Sequence, residues 1–204
     1  MTITWLGHAC FCVEEDNYAV VLDPYTGVRG YPALQVRGNE VLCSHQHSDH
    51  NYCAGVTLRQ EVRRSPFTVE KLATFHDAQQ GALRGSNTVH ILRCGDKTVV
   101  HLGDLGHLLS PEQVRALQGC DVLLLPVGGV YTIDALQAKA VVEQLRPRVV
   151  VPMHYRHDPY GLANVADVTA FLSLFPTQSV QMLSGNSFTL ESVSAAVVVP
   201  QYPV

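Results

Sequence analysis

The chain has 204 residues, of which 47% are hydrophobic and 16% are charged, a composition typical of one compact globular domain and not of a disordered or fibrous chain. The formal net charge is −4 and the 14 lysines and arginines are scattered, which argues against a nucleic-acid-binding protein with a basic face. The densest basic group contains Arg59, Arg63 and Arg64, and we expect Arg63 and Arg64 on a solvated turn or strand edge.

In the first half of the chain, short apolar and alternating stretches predict strands at residues 2–6, 11–13 and 18–23, the last of which ends before Pro24. Gly27, Gly30 and Pro32 then indicate an irregular loop. A short apolar strand at 41–44 follows, and further strands are predicted at 68–75, 88–92 and 97–102.

The second half alternates helices with strands. A helix is predicted at 111–117, with Ser110 as N-cap and Pro111 in the first turn, and another at 134–145, with apolar positions at Leu136, Ala140, Val141 and Leu145. Strands are predicted at 121–125, 149–152, 180–183 and 187–190, and a third helix at 164–175 with Asn164 as its cap. The apolar tail at 195–204 is compatible with an edge strand or with a contact between copies of the chain, and the sequence does not decide its role. The pattern predicts a single α/β domain over residues 1–204, in which two facing sheets are covered by helices.

The sequence shows no sign of a membrane segment. Residues 1–8 lack the cationic and apolar regions of a signal peptide, and no run approaches the roughly 18 continuous apolar residues of a transmembrane helix. The six cysteines fall mostly in apolar runs and are expected to be buried, reduced thiols rather than a disulfide framework. We therefore expect a cytoplasmic protein.

A dense group of imidazole and carboxylate side chains follows the predicted strand at 41–44. It contains His45, His47, Asp49 and His50. In an extended stretch alternate side chains share a face, so His45, His47 and Asp49 are expected to point the same way, while His50 projects separately. One loop can therefore serve two adjacent cations, and this donor set suits zinc, manganese or iron.

The spacing His45-x-His47-x-Asp49-His50 matches the signature of the metallo-β-lactamase superfamily. Further segments agree in the same order: Leu22-Asp23-Pro24, Phe75-His76-Asp77, Leu102-Gly103-Asp104 and Pro152-Met153-His154. Between about residues 5 and 157 the chain resembles the short branch of metal-dependent hydrolases related to L-ascorbate-6-phosphate lactonases. The segments that carry this closer likeness are Trp5-Leu6-Gly7-His8, Arg84-Gly85-Ser86-Asn87-Thr88, His101-Leu102-Gly103-Asp104-Leu105-Gly106-His107 and Pro126-Val127-Gly128-Gly129.

The resemblance implies a four-layer αβ/βα sandwich, with two facing mixed sheets flanked by helices, and a site for two divalent metal ions, with zinc expected and manganese or iron as alternatives. His45, His47 and His76 would hold one ion, Asp49, His50 and His154 the other, and Asp104 would bridge them. Asp23 is expected to orient a histidine ligand rather than to bind metal.

Such a pair of cations would share a water, lower its pKa and thereby provide a hydroxide that attacks an ester, lactone or phosphoester. Asp49 would orient this nucleophile and move a proton. Candidates for contacts with the substrate lie near the motifs: His8, Arg84, Asn87, His107, Tyr131 and Tyr155. His90 and His101, within strand-like runs, are expected to be structural.

The leading hypothesis is a hydrolase of the lactonase or esterase type that acts on a small polar or anionic molecule, with no nucleic-acid or membrane partner. One alternative is a metal-dependent phosphodiesterase or nuclease, which the acidic balance disfavours. Others are a β-lactam hydrolase, for which no export signal is present, and a flavodiiron protein, in which a glutamate replaces the residue at His47. A non-catalytic metal-binding scaffold should have lost ligands, yet every implied position is filled. The substrate, the native metal and the formation of a homo-oligomer stay open.

Overall fold

The computed structural model describes residues 1–60 and 64–202. Within them the elements are, in chain order, β1 (Thr2–Gly7), β2 (Cys10–Glu15), β3 (Tyr18–Leu22), β4 (Val36–Gly38), β5 (Glu40–Leu42), β6 (Val56–Leu58), β7 (Thr68–Phe75), β8 (Ser86–Cys94), β9 (Lys97–His101), α1 (Pro111–Leu117), β10 (Val122–Pro126), α2 (Ala135–Leu145), β11 (Val149–Met153), α3 (Thr169–Leu172), β12 (Val180–Met182), β13 (Ser187–Thr189) and β14 (Val197–Val199). Short 3-10 helices lie at Cys53–Gly55 and Thr177–Ser179.

Two mixed sheets form the framework of these described residues. The five-stranded sheet has the order β13-β1-β2-β3-β5, antiparallel except for the parallel pair β3 and β5. The seven-stranded sheet has the order β12-β14-β11-β10-β9-β8-β7, parallel from β12 to β9 and antiparallel from β9 to β7. A small parallel pair, β4 and β6, stands apart from both.

Alternation along the first strands decides which face of the five-stranded sheet meets the main core. Phe11 and Val13 of β2 belong to the core cluster that also contains residues of the seven-stranded sheet. Their neighbours Cys10 and Cys12 belong to a second cluster on the opposite face. Because side chains of a strand point alternately to its two faces, one strand serves both clusters, and the predicted α/β sandwich is confirmed.

The two outer faces are covered differently. Ala138, Val141 and Leu145 of α2 are buried in the main core, with the spacing of one helical face, and α2 contacts both α1 and α3. On the five-stranded side, the second cluster is completed by side chains from the irregular segment 25–34 and from β6. The central parallel strands β10 and β11 are buried along their whole length, as expected for strands covered on both faces.

Two expectations about elements are wrong, and one of the roles left open for the tail is excluded. The predicted helix at 164–175 is reduced to the four residues Thr169–Leu172. The Asn164 side chain donates to the Tyr131 hydroxyl (2.6 Å) instead of capping a helix, and the backbone of Ala166 pairs with Gly128 and Arg156. In the tail Val197–Val199 is not an edge strand, since β14 lies between β11 and β12 and is buried. Leu136, expected on the apolar face of α2, is 70% exposed.

The cysteines and basic residues also differ in part from expectation. Cys10, Cys12 and Cys120 are buried as predicted, but Cys43 and Cys94 are half-buried and Cys53 is exposed; all six are free thiols. Arg64 is exposed, as expected, whereas Arg63 lies outside the described residues. None of the described helices is long and apolar enough to cross a membrane.

Candidate metal centre

The candidate site lies where the strands of both sheets end. In the five-stranded sheet β1, β3 and β5 run in the same direction, and in the seven-stranded sheet β7, β9 and β11 do so. A polar residue of the predicted site lies within three residues after the end of each of these strands: His8 after β1, Asp23 after β3, His45 after β5, His76 after β7, Asp104 after β9 and His154 after β11. Two sets of carboxyl ends therefore meet at one edge of the sandwich.

Asp104 lies at the centre of the histidines. Its Oδ1 is 3.2 Å from His50 Nε2, and its Oδ2 is 3.2 Å from His76 Nε2 and 3.3 Å from His154 Nε2. His45 Nε2 is 4.0 Å from Oδ2. Among the residues predicted to bind metal, all side chains except those of His47 and Asp49 are almost completely removed from solvent. A single buried carboxylate therefore lies between several imidazoles.

Two groups of donor atoms share no residue, and a third group of Asp23, His45 and His50 overlaps both; within each group the atoms lie within 4.8 Å of one another. His45, His47 and His76 form the first group. Asp49, His50 and His154 form the second, together with His8. The structure thus brings together every residue that the resemblance implies as a ligand.

His8 lies closer to the centre than its expected role as a substrate contact requires. Its Nε2 is 3.3 Å from Asp49 Oδ2 and its ring centroid is 4.3 Å from that of His154. The residue is buried, and its backbone carbonyl accepts hydrogen bonds from Trp5 Nε1 (3.1 Å) and from the His154 amide (3.3 Å). His8 therefore helps to place Asp49 and His154. The signal in the sequence was its place at the end of β1, in the Trp5-Leu6-Gly7-His8 segment.

Asp23 connects one histidine of each group. Its Oδ2 accepts from His50 Nδ1 (2.7 Å) and from the Ser44 hydroxyl (2.6 Å), and its Oδ1 accepts from the Ser44 amide (2.7 Å). Because the Ser44 hydroxyl donates to Asp23, its oxygen is free to accept from His45 Nδ1 at 2.9 Å. Both imidazoles are thereby turned with Nε2 towards the centre, the arrangement by which a carboxylate orients metal-binding histidines.

Asn87 positions Asp104 and is not exposed to a substrate. Its Oδ1 accepts from the Asp104 amide (2.9 Å), and its Nδ2 donates to Leu102 O (2.9 Å) and Thr74 Oγ1 (2.7 Å). Gly103, with φ +56°, leaves the space for this contact, because a Cβ at that position would collide with the side chains of Asn87 and Ser44. The turn that presents Asp104 is therefore fixed by a residue expected to touch the substrate.

Asp77 organises the loop that joins His76 to Arg84. Its carboxylate accepts from the backbone amides of Gln79 (2.8 Å), Gly81 (3.0 Å), Leu83 (3.0 Å) and Arg84 (2.8 Å). Burial disfavours the ionised form, but these four hydrogen bonds outweigh it and hold the pKa of Asp77 below its usual value. This role was missed from the sequence, where Asp77 stood out only as part of the Phe75-His76-Asp77 segment.

The charges at the centre favour a bound cation. Burial lowers the pKa of His45 to about 3, so its imidazole is neutral and able to donate a lone pair. Burial disfavours charge on Asp104 as well, but His154 and His50 outweigh that effect and hold its pKa well below the usual value. His50 is also buried, and Asp104 and Asp23 raise its pKa well above the usual value. The carboxylates of Asp104 and Asp23, both directed at the His50 imidazole, create a negative environment that a bound metal ion would neutralise.

The pattern of unpaired atoms tests whether the site fits a metal. Among the described residues, His45 Nε2, His50 Nε2, His154 Nε2 and Asp104 Oδ1 are buried without a hydrogen-bond partner. A buried polar atom without a partner costs about 1–3 kcal/mol. The three histidine nitrogens lie between 3.2 and 4.0 Å from the Asp104 carboxylate, so ions bound beside that carboxylate would satisfy these atoms together. Imidazole nitrogens and carboxylate oxygens are the donors that zinc, manganese and iron accept. The residues therefore fit a metal site.

A small cavity opens beside the first group of ligands. It has a volume of about 290 Å³ and is lined by residues that include His45, His47, Arg84 and Ser86. The Arg84 guanidinium carbon lies 5.7 Å from the centroid of the Tyr131 ring, whose hydroxyl accepts the hydrogen bond from Asn164. Arg84, a candidate from the sequence, therefore lies beside two of the candidate ligands, and Tyr131, another candidate, packs against Arg84.

The remaining candidates lie elsewhere. Tyr155 stacks on Trp5 with a centroid distance of 5.8 Å and lines a different cavity, of about 280 Å³. His107 Nε2 accepts from the Phe75 amide (3.2 Å), so this ring stabilises a turn. The structural role expected for His101 agrees with its hydrogen bonds to Ala9 O (2.9 Å) and the Gly103 amide (3.1 Å). His90 is buried in β8.

Comparison with known proteins places this geometry in a family. The beta-lactamase superfamily domain matches residues 2–154. A UPF0173 metal-dependent hydrolase of Carboxydothermus hydrogenoformans is 30% identical, over 82% of this chain and 90% of that protein. A second, from Desulforamulus reducens, is 31% identical over 78% of this chain and 86% of that protein.

A solved structure agrees with the architecture as well. The crystal structure of a candidate Zn-dependent hydrolase of the metallo-β-lactamase superfamily from Thermotoga maritima superposes with a TM-score of 0.75, at 34% identity and over 97% of each chain. The expected metallo-β-lactamase fold is thereby confirmed. The chain belongs to the beta-lactamase superfamily and, within it, to the UPF0173 family of metal-dependent hydrolases.

Proposed function

We propose that this protein is a hydrolase with two metal ions that cleaves a small polar or anionic ester, lactone or phosphoester. The observation that carries the proposal is the position of Asp104, whose carboxylate lies between His76 of one donor group and His50 and His154 of the other. A buried carboxylate whose oxygens reach histidines of both groups is suited to join two cations.

The two groups define which residues would hold the ions. His45, His47 and His76 would bind one, and Asp49, His50 and His154 the other, with Asp104 shared. Zinc is the first expectation, with manganese or iron as alternatives. When bound, the ions would supply a water of lowered pKa and polarise the oxygen of the scissile group.

Asp49 is the residue proposed to handle the proton. It is the more exposed carboxylate of the centre, with a side chain 23% exposed against 2% for Asp104. Burial disfavours its charge, but the hydrogen bond from His8 and the proximity of His50 outweigh this and hold the pKa of Asp49 below its usual value. An ionised carboxylate at the open side of the site can orient an attacking water and accept its proton.

Arg84 is proposed to select an anionic substrate. It lines the cavity next to His45 and His47, and its guanidinium group lies over the Tyr131 ring. The contact with the Tyr131 ring restricts the orientation of the guanidinium group and leaves its positive charge in place. The cavity of about 290 Å³ has room for a small molecule. The net charge of −4 disfavours a nucleic acid, which is why we prefer a small ester.

The proposal is tested by metal content and hydrolysis in parallel. Protein purified without added metal is expected to hold close to two zinc, manganese or iron ions per chain and to hydrolyse members of a panel of lactones, carboxylic esters, phosphomonoesters and phosphodiesters. Asp104→Asn should reduce both the metal content and the turnover, whereas Asp96→Asn, at an exposed turn, should change neither. Turnover should stop on chelation and in His47→Ala.

The outcomes separate the alternatives. One tightly bound ion that is unaffected by Asp104→Asn would overturn the shared site. Turnover confined to phosphodiesters would favour the nuclease alternative. Two bound ions without turnover of any class would favour the non-catalytic scaffold.

A further inference from the structure

Two thiols stand at the two ends of the loop that carries His45, His47, Asp49 and His50. Cys43 follows β5 directly, and Cys53 begins the 3-10 helix at Cys53–Gly55. Their Sγ atoms are 3.7 Å apart. Cys53 is exposed and Cys43 is half-buried, so an oxidant in solution reaches at least one of them. Cys43 also lines the cavity of about 290 Å³ beside His45 and His47.

The separation can be closed by a small movement. A disulfide bond is about 2.05 Å long, so the two sulfurs must approach by roughly 1.7 Å. On the Cys43 side the backbone is fixed, because the Asp23 amide donates to Leu42 O (2.9 Å) and the Ser44 amide donates to Asp23. On the other side Cys53 begins an exposed 3-10 helix, and besides the contact with Cys43 its thiol makes a long hydrogen bond (3.4 Å) to Asn51 Oδ1. Cys53 is therefore the residue expected to move when the bond forms.

We propose that Cys43 and Cys53 form a reversible intramolecular disulfide when the protein meets a hydroperoxide. The exposed Cys53 sulfur attacks the peroxide, the O–O bond breaks, and a sulfenic acid and one water are formed. The Cys43 sulfur then attacks the Cys53 sulfur, the S–O bond breaks, and a second water leaves. Two thiols are oxidised by two electrons and one hydrogen peroxide is reduced to two waters.

The cross-link closes residues 44–52 into a ring. Fixing the ends of a loop removes many of the conformations that the loop adopts once its ligand is lost. The oxidised protein should therefore hold its metal ions more persistently than the reduced protein. This consequence rests on the proposed function, whereas the formation of the disulfide does not.

The disulfide is tested by mapping the thiols. The metal-loaded protein is treated with an equimolar amount of hydrogen peroxide, its remaining thiols are alkylated, and it is digested without reduction for mass spectrometry. Chymotrypsin, which cuts after Tyr52, separates the two thiols, whereas trypsin would leave both in one peptide because no Lys or Arg lies between them. We expect a peptide pair that joins Cys43 to Cys53, lighter by two hydrogens than its two parts together and separated by dithiothreitol. The pair should persist in Cys94→Ser, which removes the other half-buried thiol, and disappear in Cys53→Ser. Cys53 found as a sulfinic acid or in a dimer, with Cys43 alkylated, would overturn the proposal.

A second measurement tests the effect on the metal. Release of metal to a chelating dye should be about threefold slower or more in the oxidised wild type than in the reduced protein, with no such difference in peroxide-treated Cys53→Ser. Equal rates would overturn the protective effect of the cross-link. A protein that binds no metal in any state would overturn the proposed function instead, while the thiol map would still decide whether the disulfide forms.

Discussion

Hydrogen bonds at Asp23 orient candidate metal ligands in both donor groups. The carboxylate contacts His50 directly and reaches His45 through the Ser44 hydroxyl. Burial disfavours its charge, but His101 and His50 outweigh burial and lower its pKa to about 2. Asp23 is therefore an ionised acceptor at neutral pH, the form that holds both imidazoles in position.

We expect Asp23→Asn to weaken the binding of both metal ions by about 10–100-fold, because an amide cannot accept from His50 Nδ1 and from Ser44 as a carboxylate does. Ser44→Ala interrupts only the path to His45 and should weaken mainly the first ion. Titration with a metallochromic indicator measures both affinities. Loss of one ion only in Asp23→Asn would contradict the shared role.

Arg84 gives a separate prediction for the substrate. Arg84→Gln should raise KM for anionic substrates by about tenfold or more, since a charge-assisted hydrogen bond contributes roughly 1.5–3 kcal/mol, and should leave neutral esters nearly unaffected. Steady-state kinetics on matched charged and neutral substrates would measure the difference. Arg115→Gln, on the exposed surface of α1, serves as the control. An equal loss for both substrates would mean that Arg84 acts on structure rather than on charge.

At the scale of elements, α2 stabilises the loop next to the centre. Asp134 Oδ1 accepts from the Gln137 amide (2.9 Å), and Gln137 Oε1 accepts from the Asp134 amide (3.1 Å), which completes a capping box. Just before this cap, the Ile133 amide donates to Leu105 O (2.9 Å), one residue after Asp104. The start of the helix is thereby connected to the turn that presents the central carboxylate.

Asp134→Ala should lower the free energy of unfolding by about 1 kcal/mol, the usual cost of losing a helix N-cap. Gln144→Ala, at an exposed position of the same helix, should stay within about 0.5 kcal/mol of the wild type. Urea denaturation measures both. A larger loss in the Gln144 variant than in the Asp134 variant would contradict the assignment of the cap.

At the scale of the molecule, the candidate centre joins the two sheets. His45 and His50 come from the end of the five-stranded sheet, and His76, Asp104 and His154 come from the end of the seven-stranded sheet. A metal ion bound between them would therefore stabilise the contact of the two halves of the sandwich, in addition to any role in catalysis.

Removal of metal should consequently destabilise the whole fold. Binding at one hundred times Kd contributes about 2.7 kcal/mol, so chelation should lower Tm by roughly 5–10 °C for a chain of this size. Differential scanning calorimetry with and without a chelator measures the shift, which should be smaller in Asp104→Asn. An unchanged Tm after verified loss of metal would show that the sheets do not depend on the centre.

Local patterns determined a large share of this protein. Alternation and apolar runs predicted most strands within one or two residues, and Ser110 with Pro111 fixed the first helix at Pro111–Leu117. The order of His45, His47, Asp49 and His50 after a strand predicted a metal-binding loop, because its donors are neighbours in the chain. These features depend on residues a few positions apart, which the sequence displays directly.

Tertiary structure alone decided the features that depend on distant residues. The burial of β14 between two parallel strands follows from its pairing partners, and nothing in its own apolar composition distinguishes it from an edge strand. His8 and Asn87 have their roles because Asp49 and Asp104, 41 and 17 residues further along the chain, are brought within hydrogen-bonding distance by the sheets. From the sequence alone, a side chain that contacts a substrate cannot be distinguished from one that positions a candidate metal ligand. They differ only in what the folded chain places beside them.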